Sequence, residues 1–147
     1  MPRFADDARS WQALLARGEA QLMRARHTAA ATARIERTAL AVLDAARLAL
    51  VEAERHARER RRSLDDEQRG GHDFRRGDLE RIREVHARLD KMIEDARETV
   101  AAAQSRYDEA HRSHRNARSA CRVLTRRCEK YRFARKRSTR YNDDDIL

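Results

Sequence analysis

The sequence predicts an all-α fold: a single long two-helix antiparallel coiled-coil hairpin with its turn near Gly70–Gly77. Three observations carry this reading. The first is composition. Of 147 residues, 40% are charged, 5% are aromatic, 4 are Gly and 1 is Pro. Soluble domains average about 25% charged residues and about 7% Gly. With so few turn formers the chain cannot close hairpins or sandwich corners, which excludes all-β and α/β folds. Ala fills 26 positions, and with Arg, Glu and Leu it favours long helices.

The second observation is where the breakers fall. Pro2 precedes the first helix, a position that proline tolerates. Gly70, Gly71 and Gly77 cluster at mid-chain, flanked by long stretches whose only other glycine is Gly18. The expected order is helix 3–68, turn 69–77, helix 78–138 and a flexible acidic tail 139–147, forming one domain over 1–147. Each helix would measure roughly 90 Å at about 1.5 Å per residue. Asp73 or Asp78 is the expected cap of the second helix, with Glu80 and Glu84 suited to its first turns.

The third observation is a heptad seam. From Leu79 the 3,4 spacing picks out Ile82, His86, Leu89, Ile93, Ala96, Val100, Ala103, Tyr107, Ala110, His114, Ala117, Cys121, Leu124, Cys128 and Tyr131. None is Asp, Glu, Lys or Arg, and a charge-free stripe of that length in so charged a chain means a coiled coil. The first helix repeats the spacing from Phe4 through Trp11, Leu15, Gly18, Leu22, Leu43 and Ala57 to Leu64, interrupted by the charges Glu36 and Arg60. Folding at the glycines sets Leu64 against Leu79 and Ile82, and Leu43 against Val100 and Ala103. Phe4, Trp11 and Tyr131 then gather at the open end. Glu36 and Arg60 on one strand, with His86 and His114 on the other, are polar seam residues suited to fixing register.

Catalytic and metal-site signals are weak. The chain has no Gly-rich phosphate loop and no HExxH, and a thin hairpin offers no deep pocket, so neither enzyme activity nor a cofactor is expected. Cys121 and Cys128 stand about 10 Å apart along a helix, too far to share one ion. They read as small hydrophobes, and His111 and His114 as structural. No apolar run reaches 18 residues, so no transmembrane helix is expected. The segment MPRFADDARSWQ lacks signal-peptide features, and two Cys give no disulfide framework, so a cytoplasmic location is expected.

Two features point to partners. Residues 39–51 are apolar beyond the seam, with Leu40, Val42, Leu48 and Val51 on other faces, which fits either a broader contact or local third segment within the chain, or a docking face for a partner. Residues 112–140 hold 12 Arg or Lys against Glu129 alone. Such a run repels itself and favours an acidic partner, either a protein surface or nucleic acid. Interleaved exposed aromatics of the single-strand-binding kind are not evident.

Equal helices, a mid-chain turn, an Ala/Leu seam and an Arg-rich second helix resemble the type III secretion central stalk family, the flagellar FliJ and YscO-like coiled-coil export proteins. The resemblance spans the whole chain. It implies a non-enzymatic stalk at the inner-membrane secretion apparatus, resembling the shaft of a rotary ATPase. The open end would enter the pore of a hexameric secretion ATPase and link it to the export gate protein, with escort chaperones as further partners. On that resemblance Trp11, Arg118, Arg122, Arg126, Arg127, Lys130, Arg132 and Arg135 are the expected ATPase contacts. Leu40, Leu48 and Val51 are the expected contacts for the export gate or a chaperone. Nucleic acid held by residues 112–140, or a generic structural coiled coil, is the alternative.

Overall fold

The computed structural model describes residues 3–70 and 75–144, with side chains over 7–70 and 75–140. Among the described residues two α-helices make the fold: α1 (Arg3–Arg69, 67 residues) and α2 (Arg76–Asp144, 69 residues), packed against each other as an all-α hairpin. Neither helix contains a proline. Isolated helices owe little to propensity in water, so the apolar stripe between the two supplies most of their stability.

The helix ends differ in detail from the sequence expectation. α1 runs one residue further, and the Gly70 N–H still donates to the Asp66 carbonyl at 3.1 Å. α2 opens two residues early because Arg75 is its N-cap: the Arg75 carbonyl accepts from Asp78 N–H at 2.9 Å and from Leu79 N–H at 3.4 Å. Asp78 sits three positions inside, and its carboxylate accepts from the Arg75 N–H at 3.1 Å, one half of a capping box. Gly77 is therefore a helical residue rather than a turn residue. The expected tail is also helical as far as Asp144, because nothing in RFARKRSTRYNDD breaks a helix. Gly71, Asp73, Asp145 and the Phe4 side chain lie outside the described residues.

The packing divides into two compact units: Met1–Glu36 with Ala110–Leu147 (unit 1), and Arg37–Glu109 (unit 2). In unit 2, Leu43, Ala46 and Ala103 form a buried cluster, with Val100 and Tyr107 against it. Leu43 is only 1% exposed, and the small Ala46 and Ala103 beside it let the backbones approach closely. Ala57, Leu64 and Leu89 are also buried. Beside the seam, Arg47 donates to Gln104 Oε1 at 2.8 Å, Arg61 pairs with Asp90, and Arg97 lies 3.8 Å from Glu54. Exposed pairs of this kind add about 0–1 kcal/mol each, so their main effect is on register.

Two seam assignments need correction. Arg60 is exposed, and the half-buried position is Arg61, whose guanidinium reaches across to Asp90. Burying an arginine without a partner would be costly, and the one-residue shift avoids that. Leu79 is 47% exposed, because it lies level with the last turn of α1, past the last buried seam residue, Leu64.

These positions make two stability predictions, both read by urea unfolding. Leu43→Ala should lose about 2–5 kcal/mol through cavity formation. At Gly77 an added Cβ meets nothing within 4 Å. Gly77→Ala should therefore gain about 0.4–1 kcal/mol, where a true turn glycine would lose stability.

Candidate functional site

Unit 1 is built around a seam of unequal side chains. Leu15, Leu22 and Cys128 form its buried cluster, with Leu124 and Tyr131 packed on it. Gly18 lets α2 come close: a Cβ there would lie 3.2 Å from Cys128 Sγ and 3.5 Å from the Tyr131 ring. Trp11 packs against Tyr131 in a tilted arrangement, with ring centroids 6.2 Å apart and planes at 42°. Cys128 is 1% exposed and Cys121 is half-buried, both as free thiols.

One charge enters this seam, and it does not enter alone. The half-buried Glu36 carboxylate accepts from His111 Nδ1 on Oε1 at 2.6 Å, and from His114 Nδ1 on Oε2. The His111 hydrogen bond, more than any other influence, holds the Glu36 carboxyl below the usual carboxylate range. The seam spacing marks Glu36 and His114 as polar seam residues. It does not show that His111, one helical turn before His114, completes the clamp. Each carboxylate oxygen is occupied by one imidazole, and among the described residues no three His, Cys, Asp or Glu side chains converge to hold a metal ion.

With the seam closed in this way, the remaining Asp, Glu, Arg and Lys side chains of unit 1 are exposed among the described residues. The unit has 18 Arg or Lys against 8 Asp or Glu, whereas unit 2 has 16 against 17. Every Arg and Lys from Arg112 to Arg140 is exposed. Arg118, Arg122, Arg126 and Lys130 recur at every fourth position, so each cation stands over another. Such like-charge pairs cost about 0.2–0.5 kcal/mol each. Among the described residues none of these four has an ion-pair partner.

The expected contact residues therefore separate into groups. Arg118, Arg122, Arg126, Arg127, Lys130 and Arg135 are exposed cations on α2. Arg132 is already engaged, donating to Glu19 Oε1 at 3.0 Å across to α1. Trp11 is half-buried against Tyr131, so it supports the surface rather than projecting from it. Leu40, Leu48 and Val51 belong to unit 2, where they are 40%, 62% and 57% exposed. The sequence reading also missed an exposed aromatic. Phe133 is 67% exposed and falls on the same helix face as Arg126, Lys130 and Arg137. Its off-seam position, two residues after Tyr131, was the available signal.

Among the described residues a shallow, open hollow near the end of α1 is lined by Glu59, Arg62, Ser63, Asp66, Glu67 and Gly70. Its mixed charges are unlike the enclosed apolar clefts that hold small ligands. No helix is long and apolar enough to cross a membrane, among the described residues. Comparison of the chain with protein-family models, with curated proteins and with solved structures finds no match.

The Glu36 clamp makes a pH prediction with a definite sign. A carboxyl whose folded-state pKa is depressed stabilises the fold above its unfolded value, and that contribution is lost as pH falls through the folded value. Glu36→Gln should lower the melting temperature at neutral pH. The gap from wild type should hold down to about pH 4 and close below it. A gap that does not close once the carboxyl is protonated would contradict the clamp.

Proposed function

We propose that this chain is a non-enzymatic coupling component whose cationic unit docks into an acidic protein partner, and that the partner is the hexameric ATPase of a type III secretion apparatus. The observation that carries the reading is the distribution of charge. The seam takes almost no ions, unit 2 is near neutral, and the excess cations stand exposed on the unit that holds both chain ends. An exposed like-charge ladder is relieved by an acidic surface. Complementary charge speeds encounter and selects a register without needing deep side-chain insertion. The choice of an ATPase as the acidic partner rests on the resemblance to the central stalk family.

One structural feature favours a second reading. Phe133, exposed among Arg126, Lys130 and Arg137, offers a stacking surface beside cations, the pairing that single-stranded nucleic acid uses. A single aromatic provides one stacking site, whereas successive bases use several, so the protein-docking reading takes precedence.

The test is turnover of the secretion ATPase of the source organism, titrated with nuclease-treated protein. Wild type should stimulate hydrolysis. The variant Arg118→Gln/Arg122→Gln/Arg126→Gln/Lys130→Gln, altered only at exposed positions, should need about tenfold more protein for the same effect. Equal stimulation by both proteins would remove the cationic ladder from the contact. No stimulation by either, with an ATPase active on its own, would remove the reading.

A further inference from the structure

The apolar belt of unit 2 has a pattern that the hairpin does not use. Between Thr38 and Val51, α1 carries only two charges, Asp44 and Arg47. A helix apolar on all sides is normally covered on all sides, yet here one stripe packs on α2 and Leu40, Leu48 and Val51 are left 40–62% exposed. The facing stretch of α2, Thr99–Ser105, has no charge at all.

Outside the buried seam, α1 repeats the 3,4 spacing a second time through Arg37, Leu40, Asp44, Arg47, Val51 and Glu54. This stripe is a palindrome in chemical character. Positions 37 and 54, 40 and 51, and 44 and 47 lie symmetrically about the Ala45–Ala46 peptide. Each pair is either apolar with apolar or cation with anion. Asp44 and Arg47 are loosely associated within the chain, 3.9 Å apart and 64% and 54% exposed, so both are accessible to another partner. Arg47 also donates to Gln104, and Glu54 is 3.8 Å from Arg97, so the stripe is held in place by α2.

We infer that this stripe is a self-complementary interface through which two copies of the chain associate, α1 against α1 in antiparallel, about a two-fold axis near Ala45–Ala46. Such an axis brings one patch onto itself. It sets Leu40 on the second copy's Val51, Asp44 opposite its Arg47, and Arg37 opposite its Glu54. Charge complementarity selects the occupant. An unrelated partner would need a matching alternation of its own, whereas a second copy carries the match already. Unit 2, with 16 basic and 17 acidic residues, also meets a copy of itself without net repulsion, which unit 1 could not do. Two Leu–Val contacts and the edge residue Leu48 make a small apolar core, so the dimer is weak, with a Kd on the order of micromolar. The inference uses residues apart from the cationic ladder and holds whatever that ladder binds.

Sedimentation equilibrium of the full chain at increasing concentration tests it. Wild type should pass from 17.2 kDa to twice that mass. Asp44→Arg alone, or Arg47→Asp alone, places like charges opposite each other and should weaken self-association about tenfold or more. An equimolar mixture of the two variants restores every opposite-charge contact, and should dimerise at least as well as wild type. The mixture also guards against a folding defect, since misfolded chains would not rescue each other. Wild type that stays monomeric to about 200 μM would overturn the inference and leave the face to a different protein. A dimer indifferent to the single swaps, or a mixture that does not recover, would overturn it as well.

Discussion

Removing an ion from water costs far more than a thin apolar seam can return, and this constraint governs the molecule. With 40% of its residues charged, the chain can pack two helices only by keeping ions out of the contact stripe. The few side chains that approach the stripe with charge are provided for. Glu36 is held by two imidazoles, and Arg61 reaches over the edge to Asp90. Leu, Ala and Cys fill the fully buried positions, and the small Ala and Gly side chains let the backbones approach without a thick core. Gly18 against Cys128 and Tyr131 is one such close approach in unit 1.

From that constraint the surface properties follow. Charges excluded from the seam have to lie elsewhere, and they are not distributed evenly. Unit 2 balances its ions and stitches several across the helices, as at Arg47–Gln104, Arg61–Asp90 and Glu54–Arg97. Unit 1 has one such cross-helix pairing of an α2 cation, Glu19–Arg132, among the described residues, and the Arg118–Lys130 ladder stands unpaired there. Cations without ion-pair partners, at spacings that make them repel, are poor for stability. An acidic partner, as proposed, would relieve that repulsion.

The fold was legible in the sequence because its signal is long and redundant. Charge exclusion over many heptads outweighs any single misplaced residue, and the clusters at Leu43–Ala103 and Trp11–Tyr131 lie where the spacing puts them. What escaped was local. Arg60 and Arg61 are identical neighbours, and only the reach to Asp90 decides which one borders the seam. Gly77 looks like part of a turn until Arg75 and Asp78 are seen to cap a helix that includes it. His111 is one helical turn from a seam histidine, and its hold on Glu36 depends on side-chain reach that periodicity does not encode. In the candidate site, the exposed cations were plain from composition. That Trp11 is occupied by Tyr131 and Arg132 by Glu19 required the packing.

The central claim is that the exposed cations of unit 1 recognise a shaped acidic protein surface rather than phosphate in general. The most direct measurement is equilibrium binding of the full chain, under identical conditions, to the secretion ATPase hexamer and to single- and double-stranded nucleic acid, followed as salt is raised. Nucleic-acid affinity held by phosphate contacts alone falls by roughly a thousandfold or more between low and physiological salt when six or more contacts are made. The account predicts that ATPase binding persists at physiological salt while nucleic-acid binding is lost. Nucleic-acid binding that outlasts ATPase binding as salt rises would contradict it.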